Sequence, residues 1–482
     1  MNRPSLLLMP IALAMVGGCE RRPDDIPVTV SVIGGEAALR DPSSGPMSSA
    51  ARVLTGAVRQ GLVGFDANGG IEPALAERWI VIDDGRSVIF RLREARWSDG
   101  APVTAKDVAA SINRARASRG RNPLAPYLSV IDEAVAMTPQ VVEVRLSRSR
   151  PDLLNLFAQP ELAVVRRGTV GSGPFQIVSR DRRGLRLRPI VDDGGASDDR
   201  APPLAPHDDV LLRSERASAA VIRFATRRSD LVVGGGVDSW PLVPAAAIAP
   251  ANIRLDPAAG LFGLAVSNRD GFLASAEGRG AVAMAIDRAA LTTLFRPEWT
   301  PRETVLPDTL DSSAPPAIPG WAAVPFADRL ATAQARVARY GEPVRLRIAL
   351  PSGPGGNLLW NALRSSLGAA GIATERVGEG EAAELRLVDA VAPYDSARWY
   401  LRAACQPCAA SAAAAIVAAR DAPDLVARAA RLGEADVALA ADTAFIPIAG
   451  PLRWSLVAAR LGAWSPNARA WHPLNHLRSA TK

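Results

Sequence analysis

The sequence predicts an α/β protein built from more than one core, and three observations lead there. The chain has 482 residues, enough for several domains at about 100–200 residues each. Between Val344 and Val377 an alternating strand, a helix and a second strand follow one another, the pattern of a parallel βαβ unit. Between Trp79 and Leu92 two β-rich runs meet at Asp83-Asp84-Gly85, with Val88, Phe90 and Leu92 alternating with Ile89, Arg91 and Arg93. That is a hairpin with one buried face.

Taken in order, Met1 to Cys19 reads as a targeting segment: Arg3 supplies the positive end, Leu6 to Val16 the apolar stretch, and small residues precede Cys19. Val16-Gly17-Gly18-Cys19 resembles a bacterial lipobox, which implies lipid on Cys19; a plain secretory signal is the alternative. Glu20 to Asp25 is polar, a tether. No later apolar run approaches the roughly 18 residues of a membrane span, the Ala-rich stretch Ala409–Ala419 coming nearest. Val28 to Ile33 is a β-rich opening strand followed by Gly34-Gly35-Glu36. Asp66-Ala67-Asn68-Gly69-Gly70 is a turn, and Pro73 to Ala76 is a short connector into the hairpin. Thr104 and Asp107 have the spacing of a capping box and open a helix with Val108, Ile112 and Ala115 on one stripe. A strand at Val141–Leu146, a helix at Pro151–Ala158 and a sharp reversal at Gly171-Ser172-Gly173-Pro174-Phe175 follow. Asp192 to Pro206 reads as a surface loop. In the βαβ unit, Val344, Leu346, Ile348 and Leu350 mark the first strand. Leu359, Leu363, Leu367 and Ala370 then space a helix that ends at Gly371, before a strand at Ile372–Val377.

Composition excludes several functions. The formal charge is +7, and only Lys106 and Lys482 are lysines. The densest arginine cluster, Arg182, Arg183, Arg186 and Arg188, alternates with Leu185 and Leu187 and reads as a solvated strand face, not a nucleic-acid stripe. Neither GxGxxG nor GxxxxGK[ST] occurs, so nucleotide hydrolysis is not expected of this chain. There is no HExxH and no GxSxG. Of three cysteines, Cys405 and Cys408 enclose Gln406-Pro407. A structural disulfide in an oxidising compartment is the expectation, with redox chemistry as the alternative. His207, His472 and His476 lie far from them in sequence, and no metal site or cofactor is expected.

The stretch from Gly61-Leu62 through Asp66, Gly69 or Gly70, Pro73, Leu75-Ala76-Glu77 and Trp79 to Trp97, Asp99-Gly100, Pro102, Thr104-Ala105 and Asp107 closely resembles the peptide/nickel class (family 5) of periplasmic solute-binding proteins. A second match runs from Leu261–Ser267 and Asn268 to Arg279–Leu291, with Ala285-Ile286-Asp287-Arg288. The resemblance implies a two-lobed periplasmic-binding-protein fold, class II or cluster C like, with an extra subdomain inserted in the first lobe. In that frame 1–19 is the leader, 20–27 the tether, and 28–61 with 171–260 the first lobe around a subdomain at 62–170. Residues 261–445 are the second lobe and 446–482 return to the first. It further implies a helix at Ala50–Gly61, a helix and strand within Arg216–Leu242, and one helix at Arg279–Leu291. Along that helix Val282, Ile286 and Ala289 share a core face and Asp287 caps the next turn.

The function so implied is the substrate-binding lipoprotein of an ABC importer, a monomer that closes on a small solute or peptide and delivers it to permease and ATPase subunits. No nucleic acid is expected as a partner. On this reading the cleft is walled by Gly34, Gly35 and Glu36 on one side and by Asn268 and the Asp389–Trp399 segment on the other. The glycine backbone would pair with an extended ligand, Tyr394 and Trp399 would supply apolar area, and Asp389 or Asp395 would hold a cationic end. The segment Leu387–Ser396 keeps an aspartate and a proline but not the family's full acidic pattern, which leaves a peptide ligand open. An exported hydrolase using Asp389 and Asp395 as a carboxylate pair, and a non-transport sensor or scaffold of the same fold, are the rival readings.

Overall fold

The structure is a computed structural model, described over residues 25–117, 121–166, 170–190, 204–307 and 310–478. The leader, Cys19, the start of the tether and most of the loop at Asp192–Pro206 lie outside the described residues.

The opening strand Val28–Ile33 is wholly buried and becomes the middle of a seven-stranded sheet. It pairs in parallel with Val210–Glu215 on one side and Leu231–Gly235 on the other. Burial on both faces accounts for its unbroken apolar run. Beyond Val210–Glu215 lies the antiparallel pair Gly184–Pro189 and Phe175–Asp181; beyond Leu231–Gly235 lie Arg453–Val457 and Ile253–Asp256. Leu185 and Leu187 face the core as expected, but Arg186 and Arg188 are not simply solvated. Both guanidinium groups bind the fully buried Asp209, at 2.5 and 2.9 Å.

The second sheet has five strands in the order Ala373–Val377, Arg345–Ala349, Leu385–Val391, Gly260–Val266, Phe445–Ala449. The βαβ unit forms here: Arg345–Ala349 and Ala373–Val377 are parallel, joined by the helix Pro354–Ala369 with Leu359, Leu363 and Leu367 buried. The expected return at 446 falls inside Phe445–Ala449, which pairs with Gly260–Val266; the chain crosses to the first sheet only between Ala449 and Arg453. A third layer, the antiparallel sheet Ala76–Ile82, Ser87–Leu92, Val141–Leu146, Ile131–Thr138, lies between Val58 and Phe175 in sequence. Val88, Phe90 and Leu92 bury one face of its hairpin. The helix Ala105–Arg116 packs on this layer, and its capping box is formed: Asp107 N bonds Thr104 Oγ1 and Thr104 N bonds Asp107 Oδ2.

Two expected helices differ. Ala50–Gly61 is observed as Ser49–Val58, because Arg59 turns to extended backbone at the C-cap; Gly61 instead lies against the Phe157 carbonyl, where no Cβ fits. Arg279–Leu291 is two helices, Ala276–Ala285 and Arg288–Phe295. Asp287 caps the second, accepting from Ala290 N at 2.9 Å. The break resets the helical phase, so Val282 and Ile286 are buried while Ala289 is exposed. Among the described residues no helix is long and apolar enough to cross a membrane.

The apolar cores do not stop at the sheet boundaries. Phe90, Val144 and Phe157 of the third layer are continuous with Trp399, Tyr400 and Leu432 beside the five-stranded sheet. Val232 and Trp454 of the first sheet join Phe262, Ile348 and Leu363 of the second.

Candidate ligand-binding site

Strand Leu385–Val391 runs out of the second sheet into Ala392-Pro393-Tyr394-Asp395 and then the helix Ala397–Ala404. One carboxylate fixes this corner. Asp311 accepts from Ala397 N at 2.8 Å and from Ser396 Oγ at 3.0 Å, while Arg428 pairs with Asp311 and donates to Ser396 Oγ at 2.8 Å. Trp399, 7% exposed, is thereby set into the wall of a cavity of about 250 Å³ between the lobes, next to Val391, Ala392 and Pro393.

The facing walls come from elsewhere in the chain. Arg52 projects from the helix Ser49–Val58, Tyr127, Gln159 and Glu161 from the subdomain, and Arg469 and Trp471 from the C-terminal segment. Gln159 joins the two sides. Its Nε2 donates to the Pro393 carbonyl at 2.7 Å and its Oε1 accepts from Arg52 Nη2 at 3.1 Å. Arg52 Nε lies 3.2 Å from Glu161 Oε1, and its guanidinium sits 5.6 Å over the Trp471 ring. Glu161 is 8% exposed, and its Oε2 has no hydrogen-bond partner among the described residues. At the rim, Arg469 donates to the Ala392 carbonyl at 3.1 Å and pairs with Asp395.

Behind this cavity lies a crevice of about 10 Å³, lined by Tyr127, Arg150, Asp152, Tyr394, Arg398 and Arg428. Tyr394 meets Tyr127 edge to face at 5.6 Å between ring centres, and burial pushes its hydroxyl well above the usual tyrosine range. Burial, reinforced by the charge of Asp311, pushes the Asp152 carboxyl up to about 6. Burial, with Arg428, Arg398 and Arg148 close by, pulls Arg150 down to about 10.

The expected site residues are only partly brought together. Trp399 lines the cavity, and Asp395 closes its rim through Arg469. Tyr394 is one layer back, in the crevice. Asp389 is bonded at 2.7 Å to Arg453, a first-lobe residue, beside the interlobe crossing. The two aspartates therefore hold separate arginines and do not form the carboxylate pair of the hydrolase reading. Gly34, Gly35 and Glu36 stand at the start of the Ser49–Val58 helix, and their carbonyls are already engaged by Ala50 N, Ser214 Oγ and Ser48 Oγ. The Glu36 oxygen also accepts from Ala38 N and is filled, whereas the Gly34 and Gly35 oxygens each keep a second lone pair. Asn268 is misplaced. Phe262 pairs with Asp389, and Asn268 lies beyond the far end of that strand, past Val266. Its Oδ1 accepts from Asp270 N and so serves a turn. Arg52, Gln159, Glu161, Arg469 and Trp471 carry no motif, and only their convergence marks them. Cys405 and Cys408 are joined as a disulfide between the helices Ala397–Ala404 and Ala410–Asp421. Among the described residues no group of three or more His, Cys, Asp or Glu could hold a metal ion.

With this geometry in view, comparison with known proteins is informative. The sequence profile described as bacterial extracellular solute-binding proteins, family 5 Middle, matches residues 70–385. The probable deoxycholate-binding periplasmic protein YgiS of Escherichia coli is 39% identical over 90 residues, 18% of this chain and 17% of that protein, so the aligned stretch is a small part of either. The structure of Haemophilus influenzae OppA in complex with RPPGFSPFR is similar over 94% of this chain and 99% of that one, with a TM-score of 0.79 at 16% identity. The Escherichia coli murein tripeptide binding protein MppA gives 0.77 at 18% identity over 93% and 97%, but its unliganded open form gives 0.63. Sequence profile and two-lobed fold agree, and the chain belongs to the bacterial extracellular solute-binding proteins, family 5.

Proposed function

We propose that this chain captures a small solute in the cavity between its lobes and delivers it, without turnover, to an ABC permease driven by its ATPase. The observation that carries this reading is the cavity itself, walled from both lobes and bridged by Gln159 and the Pro393 carbonyl. Closing two lobes removes ligand and wall from water together, which is how hinge proteins gain affinity. Trp399 contributes apolar contact, and the Arg469–Asp395 pair closes the rim. Lipid on Cys19 holds the chain at the periplasmic face of a membrane.

Mass spectrometry of the mature chain as purified tests the capture: one discrete small solute, released on unfolding, is expected. A chain that carries nothing, and whose melting no small solute shifts, counts against capture. The anchor is tested separately, by cell fractionation of Cys19→Ser; retention in the membrane fraction equal to wild type would refute it.

A further inference from the structure

We propose that the contact between the lobes is itself a proton site: Asp152, on the subdomain, takes up a proton when the second lobe packs against it, so that acid draws the lobes together. This rests on the parting and joining of lobes that the proposed solute capture requires. The place is the crevice behind the main cavity, where Tyr127, Asp152 and Leu156 of the subdomain meet Tyr394, Arg398 and Arg428 of the second lobe. At about 10 Å³ it has room for about one water and none for a solute. It is a contact between lobes, set apart from the ligand space.

Every cation near Asp152 is engaged elsewhere. Arg150, on the same loop, donates to the Ser149 and Arg420 carbonyls, each at 3.0 Å. Arg428, from the helix Leu425–Asp442, is taken up by Asp311 and Ser396. Arg398, from the helix Ala397–Ala404, donates to the Pro126 carbonyl at 3.2 Å and lies over the Tyr127 ring. Asp152 itself is only partly exposed, and among the described residues it has neither an ion pair nor a hydrogen bond. A carboxylate so placed is favoured in its neutral form. Burial first, then the charges of Asp311 and Asp395, push it up to about 6, with Arg428 and Arg150 pulling the other way. Tyr394, Arg398, Arg428, Asp311 and Asp395 all belong to the second lobe and leave together when the lobes part. Asp152 then returns to water and to a value near about 3.9. Parting also frees Arg150 from Arg420, two residues from Asp152, which favours the charged form further.

Joined lobes therefore hold the proton more tightly than parted ones. Their advantage is full below about pH 3.9 and is lost as pH rises through about 6. Between about pH 7.5 and about pH 5 the ratio of joined to parted lobes should rise about tenfold. Small-angle scattering of the dialysed mature chain, with acid as the only titrant, should read this as a smaller radius of gyration at the lower pH. Asp152→Asn cannot ionise. It should be at least as compact at about pH 7.5 as wild type is at about pH 5, with a radius level between the two. A wild-type radius that ignores pH, or a fall that Asp152→Asn shares equally, overturns the proposal. Should Asp152→Asn fail to fold by circular dichroism, Asp152→Ser reads the same difference. A radius that ignores pH but falls when the solute recovered by mass spectrometry is added removes the proton site and leaves capture standing. One that ignores pH, on a chain that carries no solute, removes both.

Discussion

Asp436, on the helix Leu425–Asp442, is 2% exposed; its Oδ2 accepts from Ala317 N at 2.7 Å and its Oδ1 has no partner among the described residues. Burial pushes its carboxyl up to about 6, with the Ala317 amide pulling the other way. The folded value is raised, so the folded chain holds the proton more tightly. Its contribution is fully present below the unfolded value near 3.9 and is lost as pH rises through about 6. Asp436→Asn should therefore be more stable than wild type at about pH 7, by on the order of 2–3 kcal/mol, with the gain gone near about pH 4. Urea midpoints at the two pH values check this, and a gain of the same size at both would contradict it. Glu161 is another carboxylate with a buried oxygen that has no partner among the described residues, and it lines the cavity between the lobes.

At the scale of elements, the C-terminal segment shows how little regular structure an anchoring strap requires. After Arg453–Val457 its described residues hold only the short 3₁₀ turn Leu474–His476, yet it supplies Arg469 and Trp471 to the cavity. Polar ties replace secondary structure: His472 to Asp256 at 3.1 Å and His476 to Glu72, in the strand Ile71–Pro73, at 2.7 Å. The Glu72 hydrogen bond raises the His476 pKa against the effect of burial. The tie is thus fully present below the unfolded value near about 6.5 and is lost as pH rises through the folded value. His476→Gln should lower the melting temperature at about pH 5.5 through a loss of at most about 1 kcal/mol, and should have no effect above about pH 8. Elements were legible where local rules act alone, as in the Thr104 capping box and the Val344–Val377 unit. The face counted through Val282, Ile286 and Ala289 failed because Asp287 starts a new helix with its own phase. The arginines at Arg186 and Arg188 were read as solvated because their partner, Asp209, is distant in sequence.

For the whole molecule, the lobes meet on two sides of the cavity. Beside the strand crossings, Gly355 N donates to the Asp238 carbonyl at 2.8 Å, and a Cβ on Gly355 would run into the Val237 carbonyl. On the subdomain side, Arg148 and Arg150 donate to the Arg420 carbonyl, at 2.7 and 3.0 Å, where the helix Ala410–Asp421 ends and its dipole is negative. Arg148 also pairs with Asp421 at 3.0 Å, and Arg420 first, then Arg148, hold that carboxyl down to about 2. These partly exposed contacts join the lobes without locking them. Arg148→Ala should shift the solute-free chain toward the open form by about 1 kcal/mol, roughly fivefold in population. A larger radius of gyration in small-angle scattering and a weaker solute affinity of similar factor are expected; an unchanged radius would assign closure to the crossing side.

Sequence by itself determined the family stretch from Leu62 to Arg114, the buried opening strand, the hairpin, the capping box and the parallel unit, because each is written in spacing within a few residues. It also singled out Trp399 and Asp395, which the structure places at the cavity wall and rim. Tertiary structure decided the rest. Asn268 lies past the far end of the strand whose Phe262 pairs with Asp389, a matter of register that neither segment states alone. The facing wall draws Arg52, the neighbours Gln159 and Glu161, and Arg469 from three distant places. None has a neighbour in sequence that announces its role. Whether a carboxylate is spent, as in Asp395, or left wanting, as in Glu161, depends on which arginine the fold sets beside it.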